Sequence, residues 1–191
     1  MAGDGVSDAA AELLSPERAA LVVVDLQEKL LPIVLEPERV VAGARTLLRL
    51  ASVLELPVVM TTQYRKRLGE IVPEVRELAS GVEPIDKMAF GCFGSREFER
   101  RLRELGRDQL LVAGIESHIC VTQTALGALA AGYRVHVMSD AVSSRSDENR
   151  RIGLGRMERA GALVSSVEMA AYELLGRADS AAFKQMLPHF K

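Results

Sequence analysis

The chain contains no tryptophan, and only two cysteines and three histidines among its 191 residues. With no CxxC pair and scattered histidines, a zinc site has little to build on, and no metal or other cofactor is expected. The net charge of −2 supplies no field to draw the chain to nucleic acid or to an anionic membrane. Short basic runs at 65–67 and 150–151 are not extended by any basic stripe and read as solvated surface. No apolar run approaches the ~20 residues that span a bilayer. The opening stretch, MAGDGVSDAAAELLSPER, has no basic segment followed by an apolar one, so it does not read as a secretory signal. A cytoplasmic location is the expectation, and in a reducing compartment the two cysteines are not expected to form a structural disulfide.

What is present is an ordinary globular composition, long enough to bury one continuous core. Small and acidic residues at 1–15 suggest a loose arm, and 16–191 read as one domain, without internal repeat or linker.

Strand and helix signals alternate. AALVVVD at 19–25 is a β-branched run typical of a strand buried on both faces. Further strands are expected at 57–62, 82–87, 108–114, 133–140 and 162–166. The third is the weakest, because Pro84 suggests an edge. Helices are expected at 38–54, 73–79, 95–105, 119–131, 146–160, 168–175 and 180–187. The first shows apolar residues at spacings of three and four, and Ser146 is a natural cap for the fifth. Six strands separated by helices imply a parallel sheet covered on both sides, the α/β class.

Open sheets of this kind bind ligands beyond the carboxyl ends of their strands, where the strand order reverses. With the order 3-2-1-4-5-6, strands one and four are neighbours at that point. Strand one ends in Asp25 and strand three in Lys87. Cys120 follows the end of strand four by six residues, on the first turn of a helix. A helix N-terminus and an ammonium both favour a thiolate, so Cys120 is expected to be activated by its position and by Lys87. Asp25 could accept the thiol proton and return it to a leaving amine, and N–H groups at the helix start could receive an oxyanion. Together these groups describe acyl transfer from an amide through a thioester.

Blander roles compete at each position. A cysteine in a helix is often core filler, Asp25 could cap a turn, and Lys87 alone could be a surface charge. Cys92, on the glycine-flanked loop FGCFGS, is a rival nucleophile. His118 lies two residues from Cys120, a spacing that turns side chains apart, and reads as an orienting, substrate-facing or structural residue. His136, inside a strand, reads as structural.

Three blocks in this order and spacing carry a resemblance: LVVVDLQEKLLP, IDKMAFGCF, and GIESHICVTQTALGALAAGYRVHVMSDAVSSR. They resemble the isochorismatase-like cysteine hydrolases over about residues 19–175. The GIESHICV form, with DAVSSR and GALVSSVE, is most similar to the isochorismatase domain-containing subgroup. The resemblance implies a three-layer α/β/α fold with a Rossmann-like sheet and an Asp–Lys–Cys triad at Asp25, Lys87 and Cys120. It also implies a cis peptide at Ile115–Glu116 that aims the N–H groups of Ile119 and Cys120 into an oxyanion hole, and a homo-oligomer, dimer or tetramer.

Departures from the family pattern narrow the reading. Nicotinamidases of the family carry a metal site of one Asp and two His after the second strand, and TTQYRKRLG here has no histidine. True isochorismatases cleave a vinyl ether by acid catalysis and do not require the cysteine. Gln63 and Tyr64 fall where the second strand reaches the rim and are expected to line the pocket. Phe90 and Phe93 either form its apolar wall or belong to the core. The expectation is therefore a metal-independent cysteine hydrolase acting on a small amide or related C–N bond. Two alternatives stand beside it: ether hydrolysis with Asp25 as general acid, and a non-catalytic interaction protein on the same scaffold.

Overall fold

This computed structural model describes residues 12–190. Its six-stranded sheet has the order β3-β2-β1-β4-β5-β6, with every neighbouring pair parallel. The strands are β1 (Ala19–Val24), β2 (Val58–Gln63), β3 (Ile85–Lys87), β4 (Gln109–Ile115), β5 (Arg134–Ser143) and β6 (Leu163–Ser165). The main helices are α1 (Pro37–Val53), α2 (Arg96–Leu105), α3 (Thr122–Ala130), α4 (Asp147–Arg159), α5 (Val167–Leu175) and α6 (Ala181–Met186).

Alternation along the central strand builds two cores from one sheet. Ala19, Leu21 and Val23 pack with α1, α5 and α6, whereas Ala20, Val22 and Val24 pack with α2, α3 and α4. The result is the three-layer α/β/α sandwich. Four of the helices begin at a serine whose hydroxyl accepts an N–H of the first turn: Ser95, Ser146, Ser166 and Ser180.

Several boundaries differ from the sequence reading. β3 begins only at Ile85, leaving Pro84 outside the ladder, where its missing N–H does no harm. β5 runs on to Ser143, and its register against β4 slips between Val112 and Gly114. The helix expected at 73–79 is one α turn followed by a 3₁₀ turn. Of the expected N-terminal arm, residues 1–11 lie outside the described residues. Leu14 and Ser15, at its end, are tied down: their N–H groups donate to Glu173 Oε2 at 3.0 Å and Gln109 Oε1 at 2.9 Å.

Register places the chemistry. Val24 pairs with Thr61 on one side and Gly114 on the other, and Gln63 pairs with Lys87. The carboxyl ends of four strands therefore deliver Asp25, Thr61, Gln63, Lys87 and the turn after β4 to one rim.

Candidate active site

Asp25 stands one residue beyond β1 with φ of 52°, in the left-handed region where few residues but Asn, Asp and Gly are at ease. Its N–H donates to Thr61 O at 3.2 Å, which holds it against β2. Its Oδ1 accepts the Thr61 hydroxyl at 2.7 Å, and its Oδ2 accepts Lys87 Nζ at 2.7 Å. The Cys120 thiol faces the same carboxylate, near enough for the Asp25 charge to act on the sulfur. Lys87 also donates to Gln63 Oε1 at 2.7 Å and to the Phe90 carbonyl at 2.9 Å. Asp25, Lys87 and Cys120 are 0 %, 3 % and 6 % exposed. The structure thus brings the three sequence-predicted groups into one closed cluster.

The turn that carries Cys120 is wound loosely. Gly114 has φ of 123°, and a Cβ there would lie 2.0 Å from the Val24 carbonyl oxygen, so only glycine lets β4 pass β1 at this point. The Ile115–Glu116 peptide is cis. A π turn spans Ser117–Val121, with the Val121 N–H reaching back five residues to Glu116 O at 3.2 Å. The Ile119 N–H donates to that same oxygen at 3.0 Å, so this expected oxyanion donor already has a partner inside the turn. Thr122 and Thr124 hydroxyls cap the carbonyls of Ser117 and Cys120, each at 2.6 Å. Glu116 is buried and held by Arg145 through its backbone N–H and both sides of its guanidinium. Burial pushes the Glu116 carboxyl up, but the Arg145 hydrogen bonds and charge outweigh it and leave it below its ordinary value.

The electrostatics correct one expectation. Burial, and then the Asp25 charge, push the Cys120 thiol up to about 12, and Lys87 offsets only part of this. Cys92 is raised to about 11, mainly by burial. Cys120 therefore rests as a thiol rather than a thiolate. The ammonium is shared with a carboxylate whose charge also acts on the sulfur, and the N–H groups of Ile119 and Val121 are already bonded. Burial also raises Asp25, opposed by the charge and hydrogen bond of Lys87 and by hydrogen bonds from Thr61 and Cys120.

The remaining sequence candidates divide. Gln63 does not face open space: its amide accepts from Lys87 and donates to Met88 O at 2.9 Å, so it holds the lysine. Tyr64, at φ of 41°, is exposed beside the rim and its N–H donates to Lys87 O at 3.0 Å. Phe90 is 55 % exposed and Met88 64 %, while the Phe90 carbonyl accepts from Lys87. Phe93 packs into the core on the Cys120 side of the sheet, edge-on to Phe98 at 5.3 Å and against Gly127. His118 Nδ1 lies 3.0 Å from Ser144 Oγ. Cys92 is fully buried, its N–H on Thr124 Oγ1 at 3.0 Å and its sulfur 3.7 Å from Thr61 Oγ1. Thr61, Thr124 and the Glu116–Arg145 pair were not singled out from sequence. The polar TTQ that closes an apolar strand was the available signal for Thr61. A concavity of about 570 Å³ between Leu31, Pro32, Pro37 and Val41 contains none of the triad. Among the described residues, no group of three or more His, Cys, Asp and Glu is placed to share a metal ion, and no helix is long and apolar enough to cross a membrane.

Residues 19–169 match the Isochorismatase domain. The chain belongs to this family. It is 40 % identical over 178 residues to the secreted isochorismatase effector Isc1 of Phytophthora sojae, covering 91 % of this chain and 84 % of that one. It is 36 % identical over 174 residues to isochorismatase domain-containing protein 2A of Mus musculus, covering 90 % and 82 %. Among solved structures it is similar to the MAR1 ribonuclease of Caenorhabditis elegans, with TM-score 0.88, 34 % identity and coverage of 93 % and 92 %. YcaC of Escherichia coli, described as an octameric hydrolase of unknown specificity, follows at TM-score 0.87 and 27 % identity, covering 93 % and 90 %. The chain is a hydrolase of the isochorismatase-like superfamily.

Proposed function

We propose that this hydrolase is a metal-independent cysteine enzyme that cleaves a small amide or related C–N bond through a thioester on Cys120. The observation that carries the reading is that one buried carboxylate, Asp25, is bonded to the ammonium at 2.7 Å while its charge also acts on the thiol. Moving the thiol proton to Asp25 leaves the charge of the trio unchanged. The anion shifts from oxygen to sulfur, and Lys87 remains paired with it. A thiol raised to about 12 is then an asset, because the proton leaves only as the sulfur bonds to carbon.

In the first half, Cys120 Sγ bonds to the carbonyl carbon as its proton passes to Asp25. The C–N bond then breaks, and Asp25 returns the proton to the departing nitrogen. In the second half, Asp25 takes a proton from water as the water oxygen attacks the thioester; the C–S bond then breaks, and Asp25 returns that proton to the departing sulfur as the carboxylic acid is released. The Cys120 N–H is the oxyanion donor in this scheme, since that of Ile119 is engaged. We read Tyr64, Phe90 and His118 as substrate-facing, with Lys87 positioned by Gln63 rather than by substrate.

A panel of small amides and ureas tests this by Cys120-dependent ammonia release. Cys120→Ala should abolish turnover, and full activity in that variant would end the proposal. The second reading, ether hydrolysis by Asp25 as general acid, draws on the upward shift that burial gives this carboxyl. It expects Cys120→Ala to stay active and Asp25→Asn to fail. The nematode neighbour's designation adds RNA to the panel, and Cys120-dependent cleavage of RNA would replace the small-amide reading. We place the protein in the cytoplasm, where its two free thiols stay reduced, although one relative is named as secreted. We also read it as a homo-oligomer, supported by the octameric YcaC, and light scattering of the purified chain tests that reading.

A further inference from the structure

Thr61 has no place in the triad, yet its hydroxyl donates directly to the carboxylate. The strand register sets it opposite Val24, one residue before Asp25. It grips Asp25 twice, through its carbonyl to the Asp25 N–H at 3.2 Å and through its hydroxyl to Oδ1 at 2.7 Å. A hydroxyl donates one proton, and here that proton is directed at Asp25. Its oxygen stays open as an acceptor, and the Cys92 thiol fills it at 3.7 Å. The Cys92 N–H in turn donates to Thr124 Oγ1, whose own proton goes to the Cys120 carbonyl. All of these residues are buried.

We infer that Thr61 is a positioning residue that keeps Oδ1 of Asp25 occupied and turns the carboxylate toward Cys120 and Lys87, with the Cys92 thiol orienting the Thr61 hydroxyl. The inference rests on the thioester reading for why the carboxylate must be held ionised and still. The chain Cys92–Thr61–Asp25 gives the second cysteine a task that leaves the nucleophile's role with Cys120. The Lys87 and Thr61 donors on one carboxylate also counter the upward push of burial, because each favours the charged form. The groups facing Asp25 are Lys87 from β3, Thr61 from β2 and Cys120 from the turn after β4, with Cys92 behind Thr61.

The test follows the Asp25 carboxyl directly, by carbon NMR on protein labelled at aspartate carboxyls, assigned with Asp25→Asn. In Thr61→Val the titration midpoint of Asp25 should rise by about 1–2 pH units, the loss of one hydrogen bond to a charged group. Thr61→Ser should keep the midpoint in place, and Cys92→Ala should raise it by less than Thr61→Val. Thr61→Ala replaces the valine variant with the same expectation if a methyl against the carboxylate prevents folding. Equal midpoints in the hydroxyl-free variant and the parent would overturn the inference, as would equal shifts in the serine and valine variants. The titration needs no substrate. Turnover surviving Cys120→Ala would therefore defeat the thioester reading and leave these midpoints intact, so the two failures are distinguishable.

Discussion

Lys87 Nζ and Asp25 Oδ2 form a salt bridge of 2.7 Å in which both side chains are almost wholly out of water. A buried pair of this kind adds little net stability over a well-packed apolar pair, but removing one partner leaves a charge with nothing to face. Lys87→Met should lose about 3–5 kcal/mol at neutral pH, measured by urea unfolding. Without its ammonium the Asp25 carboxyl is pushed further up, so the folded state prefers the neutral acid. The deficit should therefore be absent below the ordinary 3.8 and grow as pH rises through the folded midpoint. Lys87→Met combined with Asp25→Asn should regain much of the loss. A single variant as stable as the parent at pH 7 would mean that the pair is hydrated.

The second prediction separates reactivity from turnover. The Asp25 charge is one of the groups that push the Cys120 thiol up. Asp25→Asn should lower that thiol, leaving Lys87 to favour the thiolate without competition. Alkylation of Cys120 by iodoacetamide at pH 8–9, followed by peptide mass spectrometry, should then speed up by about tenfold for each unit of lowering. Hydrolytic turnover should collapse in the same variant, because the proton acceptor is gone. In the parent, labelling of Cys120 should climb with pH without a plateau near neutrality. A plateau there would indicate a preformed thiolate, against the charge arrangement described above.

The fold was open to reading because its signals are local and redundant. AALVVVD has the β-branched continuity of a strand buried on both faces, and an acid closing such a strand calls for a partner. The site was less open because its geometry depends on register and hydrogen bonding across the sheet. Thr61 reads as one more β-branched residue until Val24 is known to sit opposite it. Gln63 reads as a pocket residue until its amide is seen to be engaged at both ends. The thiolate expectation failed for a similar reason. Position on a turn can be read from sequence, but the Asp25 charge on the sulfur and the N–H groups already used by Glu116 O cannot.

Alkaline stability follows from the two thiols. Their ordinary value is 9.0, and burial foremost raises Cys92 to about 11 and Cys120 to about 12. A raised acid contributes stability that is complete below 9.0 and is lost as pH rises through the folded value. Between these limits the unfolded chain sheds two protons that the native state keeps. Each thiol should contribute a slope of about −1.4 kcal/mol per pH unit. Urea unfolding at pH 9.5–10.5 should give a slope shallower by about that amount in Cys92→Ser than in the parent. Comparing the two cancels the lysines and tyrosines that titrate in the same range. Parallel slopes would mean that Cys92 is not held protonated.

Gly153 sets two local rules against each other. It lies in the middle of α4, where alanine is favoured over glycine by about 1 kcal/mol, so on propensity alone Gly153→Ala should stabilise the helix. The added Cβ would stand 2.9 Å from His118 Cα and 3.0 Å from both His118 N and Ser117 O. These are backbone atoms of the π turn, and the turn has little room to retreat. Its Glu116 end is clamped by Arg145, and Ser117 O is already bonded to the Thr122 hydroxyl. The close contact should prevail. Overpacking of this kind typically removes 1–3 kcal/mol, so the melting temperature should fall despite the better helix former. The strain would be placed on the turn that aims Cys120, so Cys120-dependent turnover should fall further than the lost stability alone explains. Gly155→Ala, two residues along the same helix, supplies the control. Its Cβ would meet only the far end of the Arg159 side chain at 3.3 Å, which can swing aside, so it should stabilise the protein and leave turnover unchanged. If the two variants behave alike, α4 does not press on the nucleophile turn.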